Sequence, residues 1–273
     1  MKIGVTLNYD AFLSDNFNWC ADNGIFTCQL SVSPDLLTDT TAEHIKNLCK
    51  SHGMEITALI GAWSGPNEWN FTAGPATLGI VPPAYRAMRM RELEACAQFA
   101  AKLKIRDVCT HMGFIPENPG DPLYPEVVAI IRHLAAIYKK HELRLNMETG
   151  QETPIVLLRV IHDVGLDNLG INFDPANFLM YGKANPIDAV SILKKYINGV
   201  HAKDGEYPTC GALLGVETPL GQGRVDIKRF VLALHNSGYN GAITIEREIS
   251  GEQQKIDILA ANALLKQLIG ELQ

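Results

Sequence analysis

The sequence predicts an α/β protein, a closed (β/α)8 barrel in which residues 1–273 form one domain. Short apolar runs alternate with longer segments of helical spacing from end to end, which calls for a parallel sheet. The alternation counts to about eight units, and the chain has 273 residues, close to the roughly 250 that a barrel of this kind needs. An open, doubly wound sheet is the competing arrangement. Against it, Asn8-Tyr9-Asp10-Ala11 stands where a Gly-rich dinucleotide loop would follow the first strand.

The strand-like runs are 2–7, 27–32, 55–60, 107–111, 144–148, 169–174, 199–203 and 242–246. Between them, apolar residues recur every three or four positions. In the segment 92–103, Leu93, Ala97, Ala100 and Ala101 share a face. Thr40 or Thr41, Asp188 and Asp226 read as helix starts, and Gly53, Gly165 and Gly238 as stops. Three connections are unusual: 61–83 holds Trp63, Trp69 and Phe71, 113–125 has four prolines, and 204–223 is rich in Gly and Pro. All three follow strand C-termini, the end of a barrel where long loops carry function. Trp63 is therefore a candidate for lining a substrate site, with packing of its own loop as the alternative.

Composition narrows the function. At 47% hydrophobic and 20% charged residues, the chain reads as an ordinary globular protein. Its net charge of −6, without a basic block, disfavours nucleic acid as a partner. The six cysteines contain no C-x-x-C and read as reduced residues. MKIGVTL leads straight into a strand-like run, so no signal peptide is expected, and no apolar run approaches the roughly 20 residues of a membrane span. The expected location is the cytoplasm. Homo-oligomerisation is left open.

Four consecutive strands each end near a side chain able to bind a metal: Glu148 in NMETG, Asp174 in NFDP, His201 in VHAKDG and Glu246 in ITIERE. The first three are 26 and 27 residues apart, one βα unit each, and the gap of 45 to Glu246 exceeds this by about the length of the Gly/Pro loop. A lone carboxylate at a strand end is usually a cap, and a lone histidine is usually a hydrogen-bonded structural residue. His44, His52, His133, His141, His162 and His235 fall in helical segments and are read that way. Four such residues in register differ, because three carboxylates at one barrel mouth repel unless something positive sits among them. One divalent cation with an imidazole is the economical solution. Pro175 lacks an N–H, so it stops the ladder and holds Asp174 extended at the mouth.

METG, NFDPAN, VHAKDG, PLGQGRVD and TIERE resemble the xylose isomerase-like TIM barrels, the sugar phosphate isomerase/epimerase group, and the resemblance covers essentially the whole chain. It implies that Glu148, Asp174, His201 and Glu246 bind one catalytic divalent metal and that Glu148 and Glu246 also move a substrate proton. The chain departs from the ketose epimerases of the group at Asn177, where they carry a histidine. An amide can hydrogen-bond a substrate hydroxyl but cannot relay a proton. The group's endonuclease IV branch is disfavoured too, since Lys203-Asp204 does not match its Asp-x-His and Ile60-Gly61 offers no histidine.

The remaining candidates for contact with a small carbohydrate are His111, Asn177, Lys203 and Arg224. His111 ends the fourth strand, and its alternative is a core role. Lys203, two residues past His201, faces the same mouth if the strand persists, and otherwise pairs with Asp204 or Glu206. Arg224 follows Gly221-Gln222-Gly223 as an anion clamp or as a solvated charge. Arg247 and Glu248 are read as pointing away from Glu246. The expected chemistry is isomerisation or epimerisation by proton transfer through a metal-stabilised enediolate. A lyase using the same enediolate, a metal-dependent hydrolase and a non-catalytic sugar binder are the alternatives. Oxygen-rich ligation with one histidine suits Mn²⁺, and also Mg²⁺, Co²⁺ or Zn²⁺.

Overall fold

The computed structural model describes residues 1–272. Eight parallel strands close into a barrel: β1 (Lys2–Asn8), β2 (Thr27–Val32), β3 (Glu55–Gly61), β4 (Asp107–Thr110), β5 (Arg144–Glu148), β6 (Leu169–Phe173), β7 (Ile197–Ala202) and, last in the chain, β10 (Ala242–Ile245). β1 closes the ring by pairing with both β2 and β10. Two short strands, β8 (Asp204–Gly205) and β9 (Glu217–Thr218), form an antiparallel pair within the connection after β7.

The connecting helices are α1 (Leu13–Asp22), α2 (Asp39–His52), α3 (Gly74–Thr77), α4 (Pro83–Leu103), α5 (Leu123–Lys140), α6 (Pro154–Val164), α7 (Pro175–Met180), α8 (Pro186–Leu193), α9 (Ile227–Asn236) and α10 (Glu252–Gly270), with a 3₁₀ turn at Pro34–Leu36. The apolar core lies between the barrel and these helices, where Phe17, Leu93, Phe99, Ile131, Leu157, Phe230 and Leu265 are buried. Among the described residues no helix is long and apolar enough to cross a membrane.

Several helix ends follow from local chemistry. Asp226 caps α9 as expected, its carboxylate accepting from the Arg229 N–H. The start of α2 lies at Thr38, whose hydroxyl accepts from Thr41 N–H. That of α8 lies at Asn185, with Pro186 in the first turn, rather than at Asp188. Gly53 and Gly165 end α2 and α6 in the left-handed conformation. Three strands end one residue short of the expected limits, at Thr110, Phe173 and Ile245, and β7 runs Ile197–Ala202. His111, Asp174, Lys203 and Glu246 thus lead out of their strands into the loops.

The barrel interior departs from the usual stack of aliphatic layers. At its N-terminal end, Arg144 pairs with Asp107 at 2.6 Å, Asn146 donates to Asp107, and Asn198 joins Asn146 to Arg144. Nearer the C-terminal mouth lie Gln29 and Asn172, both buried. The polar column leads from one end of the barrel to the candidate site at the other.

Candidate metal centre

Glu148, Asp174, His201 and Glu246 converge, each offering one ligand atom within 4.8 Å of the others. Nδ1 of His201 lies 3.0 Å from Glu148 Oε1, 3.3 Å from Glu246 Oε2 and 3.6 Å from Asp174 Oδ2. Glu148, Asp174 and His201 are buried, and Glu246 is partly open to the mouth.

Local structure aims these groups. Asp174 is extended, with φ −102° and ψ 112°, and is the N-cap of α7. Its Oδ1 accepts from the Asn177 N–H at 2.9 Å, while its Oδ2 faces the cluster. Its backbone is pinned by Thr149, whose hydroxyl both accepts from the Asp174 N–H and donates to the Asp174 carbonyl, each at 2.8 Å. Although β10 ends at Ile245, the Glu246 N–H still donates to the Ala202 carbonyl at 3.2 Å.

The polar atoms divide into two sets. Glu148 Oε2 accepts from Asn172 Nδ2, and His201 Nε2 lies 2.9 Å from Gln29 Oε1. The atoms on the other side of these groups, Glu148 Oε1, Asp174 Oδ2 and His201 Nδ1, are buried without a hydrogen-bond partner. Buried polar atoms are nearly always paired. Three orphans, one from each side chain and all facing one another, form a cradle that fits a divalent cation. Three carboxylates and one imidazole are a donor set for Mn²⁺ or Mg²⁺, and also for Co²⁺ or Zn²⁺.

Lys203 belongs to this centre. Buried, its Nζ lies 3.0 Å from Glu246 Oε2, 2.9 Å from Glu248 Oε1, 3.7 Å from Asp174 Oδ2 and 3.4 Å from Asn177 Oδ1. Burial works against its charge, but the carboxylates of Glu246, Asp174 and Glu248 outweigh burial and hold its pKa well above the usual lysine value. Burial likewise opposes a charge on His201, and Glu148 and Glu246 overcome it, raising its pKa. Glu246 shows the converse: burial would raise its pKa, yet His201 and Lys203 bring it well below the usual carboxylate range.

The other expected residues are distributed as follows. Asn177 is buried and donates to the Thr149 carbonyl at 3.1 Å. A cleft of about 620 Å³ opens beside Glu246 and Glu248, lined also by Asn8, Ser31, Ile60 and Trp69. Ile60 and Trp69 also line an apolar recess of about 190 Å³ that contains Trp63 and His111. The Trp69 and His111 rings meet edge to face at 4.9 Å, and His111 Nδ1 lies 3.2 Å from Gln151. Arg224 is not brought to the cluster. It is exposed and paired with Glu206 at 2.8 Å, because the loop is held by its backbone: Asp204 accepts from the N–H groups of Gly221, Gly223 and Val225. A Cβ at Gly223 would lie 2.3 Å from Asp204 Oδ1, so this hairpin requires glycine there and turns Arg224 outward. Lys203 pairs with neither Asp204 nor Glu206, the partners its neighbourhood in sequence suggested.

Glu248 corrects the expectation that it points away: the strand has ended before it, and its carboxylate reaches Lys203. Arg247 does turn away, into pairs with Glu217 at 2.6 Å and Asp257 at 2.7 Å. Sequence reasoning missed Gln29, Asn172 and Arg89. The first two carried a signal, a polar residue inside an apolar strand. The fully buried Arg89 donates to the carbonyls of Ser64, Pro66, Thr77 and Gly79 and lies 4.0 Å beneath the Trp63 ring, so it organises the loop that carries both tryptophans.

A protein from Planctomyces limnophilus described as a xylose isomerase domain protein is 34% identical, with 97% of this chain and 96% of that one covered and a TM-score of 0.92. A D-tagatose 3-epimerase-like protein is 19% identical over 99% of this chain and 97% of its own, with a TM-score of 0.76. A Mycobacterium smegmatis barrel protein in complex with magnesium is 17% identical over 100% and 98%, with a TM-score of 0.73. No curated protein matches the chain. The family description that matches residues 17–268 is that of the xylose isomerase-like TIM barrel, and the chain belongs to this family.

Proposed function

We propose that the protein is a divalent-metal-dependent isomerase or epimerase acting on a small sugar or sugar phosphate. The observation that carries this reading is the set of three orphaned, mutually facing atoms on Glu148, Asp174 and His201, closed by Glu246. These four residues would hold the ion. A barrel neighbour in complex with magnesium and one described as D-tagatose 3-epimerase-like are in keeping with a metal-dependent epimerase. When bound, the ion supplies Lewis-acid polarisation of a substrate carbonyl.

The side chains supply the rest. Glu246 borders the open cleft and has a depressed pKa, so it stands ionised and ready to accept a proton from the carbon next to the carbonyl. Glu148, the second carboxylate of the pair, would take a proton from water before the step and deliver it on the opposite face in an epimerase or to the neighbouring carbon in an isomerase, while Glu246 gives its proton back to water afterwards. Lys203, fixed by Glu246 and Glu248, presents a positive charge to a substrate oxygen or phosphate. Asn177 offers an amide to a hydroxyl. Trp63 and His111 border the recess in which the apolar face of a sugar would rest.

The test has two arms. Protein purified without chelator should contain one divalent metal per chain, removed by EDTA together with activity. With a panel of aldoses, ketoses and their phosphates in D₂O, turnover should place deuterium on a carbon next to the carbonyl. Label at an inverted centre identifies an epimerase, and label with loss of water identifies a lyase. No carbon label, no isotope effect from substrate deuterated at the reacting carbon, and ¹⁸O from water in a product hydroxyl would move the protein to the hydrolases.

A further inference from the structure

Gln29 and Asn172 lie beneath the candidate centre, and their four amide atoms have a single consistent arrangement. Glu148 Oε2 is an acceptor, so the Asn172 atom against it is the donor, Nδ2. That leaves Asn172 Oδ1 facing Gln29, whose Nε2 donates to it at 2.9 Å. Gln29 then presents its carbonyl oxygen, Oε1, to His201 Nε2 at 2.9 Å. An acceptor at that distance requires a proton on Nε2. Asn172 Nδ2 also lies 3.1 Å from His201 Nε2, but with the Nε2 hydrogen directed at Gln29 both atoms are donors and do not bond each other.

We infer that Asn172 and Gln29 form an amide relay that carries the fixed polarity of the Glu148 carboxylate to His201 and selects the tautomer with Nε2–H and a free Nδ1. Nδ1 is the orphaned atom that faces Glu148, Asp174 and Glu246. The opposite tautomer would put a hydrogen where an ion must bind. Gln29 and Asn172 are therefore positioning residues: they act through His201 and Glu148, and neither lines the cleft. Both are buried, at 2% and 1% exposure. Gly199 on β7, the register partner of Asn172, leaves them room, since a Cβ there would lie 2.1 Å from Asn172 Oδ1 and 3.3 Å from Gln29 Nε2. A glycine inside a strand is otherwise a cost, and the relay supplies a reason for it.

The inference rests on the proposed metal centre, and the experiment separates the two. Wild-type protein is titrated with Zn²⁺ alone, and the imidazole nitrogens of His201 are read by long-range ¹H–¹⁵N correlation. The expected result is a protonated Nε2 whose hydrogen exchanges slowly with water. A hydrogen on Nδ1 in the Zn²⁺-loaded protein overturns the relay with no variant needed. Gln29→Met keeps the bulk and removes the acceptor. It should bind Zn²⁺ about 10–100-fold more weakly, the usual effect of losing a partner of a ligand, with an unchanged circular dichroism spectrum. Equal affinity in wild type and Gln29→Met overturns the inference. If wild type takes up no Zn²⁺, the metal reading fails, and the relay is judged by the Nε2–H of the metal-free imidazolium: exchange that is slow in wild type and fast in Gln29→Met supports it, and equal exchange overturns it. Should Gln29→Met fail to fold, the wild-type nitrogen assignment and exchange rate still decide.

Discussion

His201 and Lys203, two residues apart at the end of β7, both reach the same oxygen of Glu246: Oε2 lies 3.3 Å from Nδ1 and 3.0 Å from Nζ. The carboxylate is thus held between a group suited to bind metal and a fixed positive charge. Lys203 also touches Asp174 and Glu248, so it partly neutralises a centre with four carboxylates.

Lys203→Met should shift the acid limb of the pH–rate profile upward. Burial alone would raise the Glu246 pKa, and His201 and Lys203 together bring it down. A proton acceptor with a depressed pKa stays ionised as pH falls. Removing the ammonium raises that pKa, so activity should be lost at higher pH than in wild type. The profile of kcat/KM across pH 4–8, with metal occupancy measured at each point, checks this. An unmoved acid limb would mean that Lys203 does not tune Glu246.

Glu152 should make the fold weaker as pH rises. Burial pushes its pKa up to about 8, from an ordinary 4.5, and neither oxygen has a hydrogen-bond partner. Below the ordinary value the carboxyl is neutral in both states and adds no pH-dependent cost. Between the two values the unfolded chain ionises while the folded chain holds its proton, so stability falls with pH until the folded pKa is passed. Glu152→Gln removes that loss. Its melting temperature relative to wild type should improve between pH 5 and pH 8.5, with a gain on the order of a few kcal/mol at the upper end. A constant difference across that range counts against a buried neutral Glu152.

Arg89→Met should loosen the loop of residues 61–82 more than the barrel. The guanidinium serves four backbone carbonyls and stacks against Trp63, and its loss leaves buried acceptors unpaired. A cost of roughly 3 kcal/mol is expected. Hydrogen exchange in residues 61–82 should accelerate while that of β5 and β6 stays slow. Uniform acceleration would place the role of Arg89 in the whole fold instead.

The barrel was legible because the period of apolar runs is a local signal, and all eight strands lie within two residues of the expected limits. The convergence of Glu148, Asp174 and His201 was legible because one βα unit returns the chain to the same rim, which their spacing reflects. What escaped depends on side-chain direction after the strands end. Glu248 turns toward Lys203 only because β10 stops at Ile245, and Arg224 turns outward because Asp204 gathers the backbone around it. Arg89 sits in a helix as any arginine would, and its four carbonyl partners lie 10 to 25 residues earlier in the chain.

Asp174 has one oxygen for the fold and one for the centre, and a single substitution can separate them. Oδ1 caps α7 through the Asn177 N–H, and Oδ2 is orphaned against His201 and Lys203. Asp174→Asn retains a cap, since asparagine serves about as well as aspartate at an N-cap, but places an amide where the oxygen facing His201 stood. Asp174→Ala loses both functions, and the lost cap costs about 1 kcal/mol. Without added metal, both variants relieve the crowding of carboxylates, so the Asn variant should melt at or above wild type and the Ala variant, without the cap, below the Asn variant. With excess Mn²⁺, wild type should gain stability in proportion to the logarithm of metal concentration over Kd, and neither variant should follow. Melting curves with and without Mn²⁺ read both effects at once. A wild-type-like Mn²⁺ response in Asp174→Asn would remove Oδ2 from the ligand set and leave Asp174 as a helix cap alone.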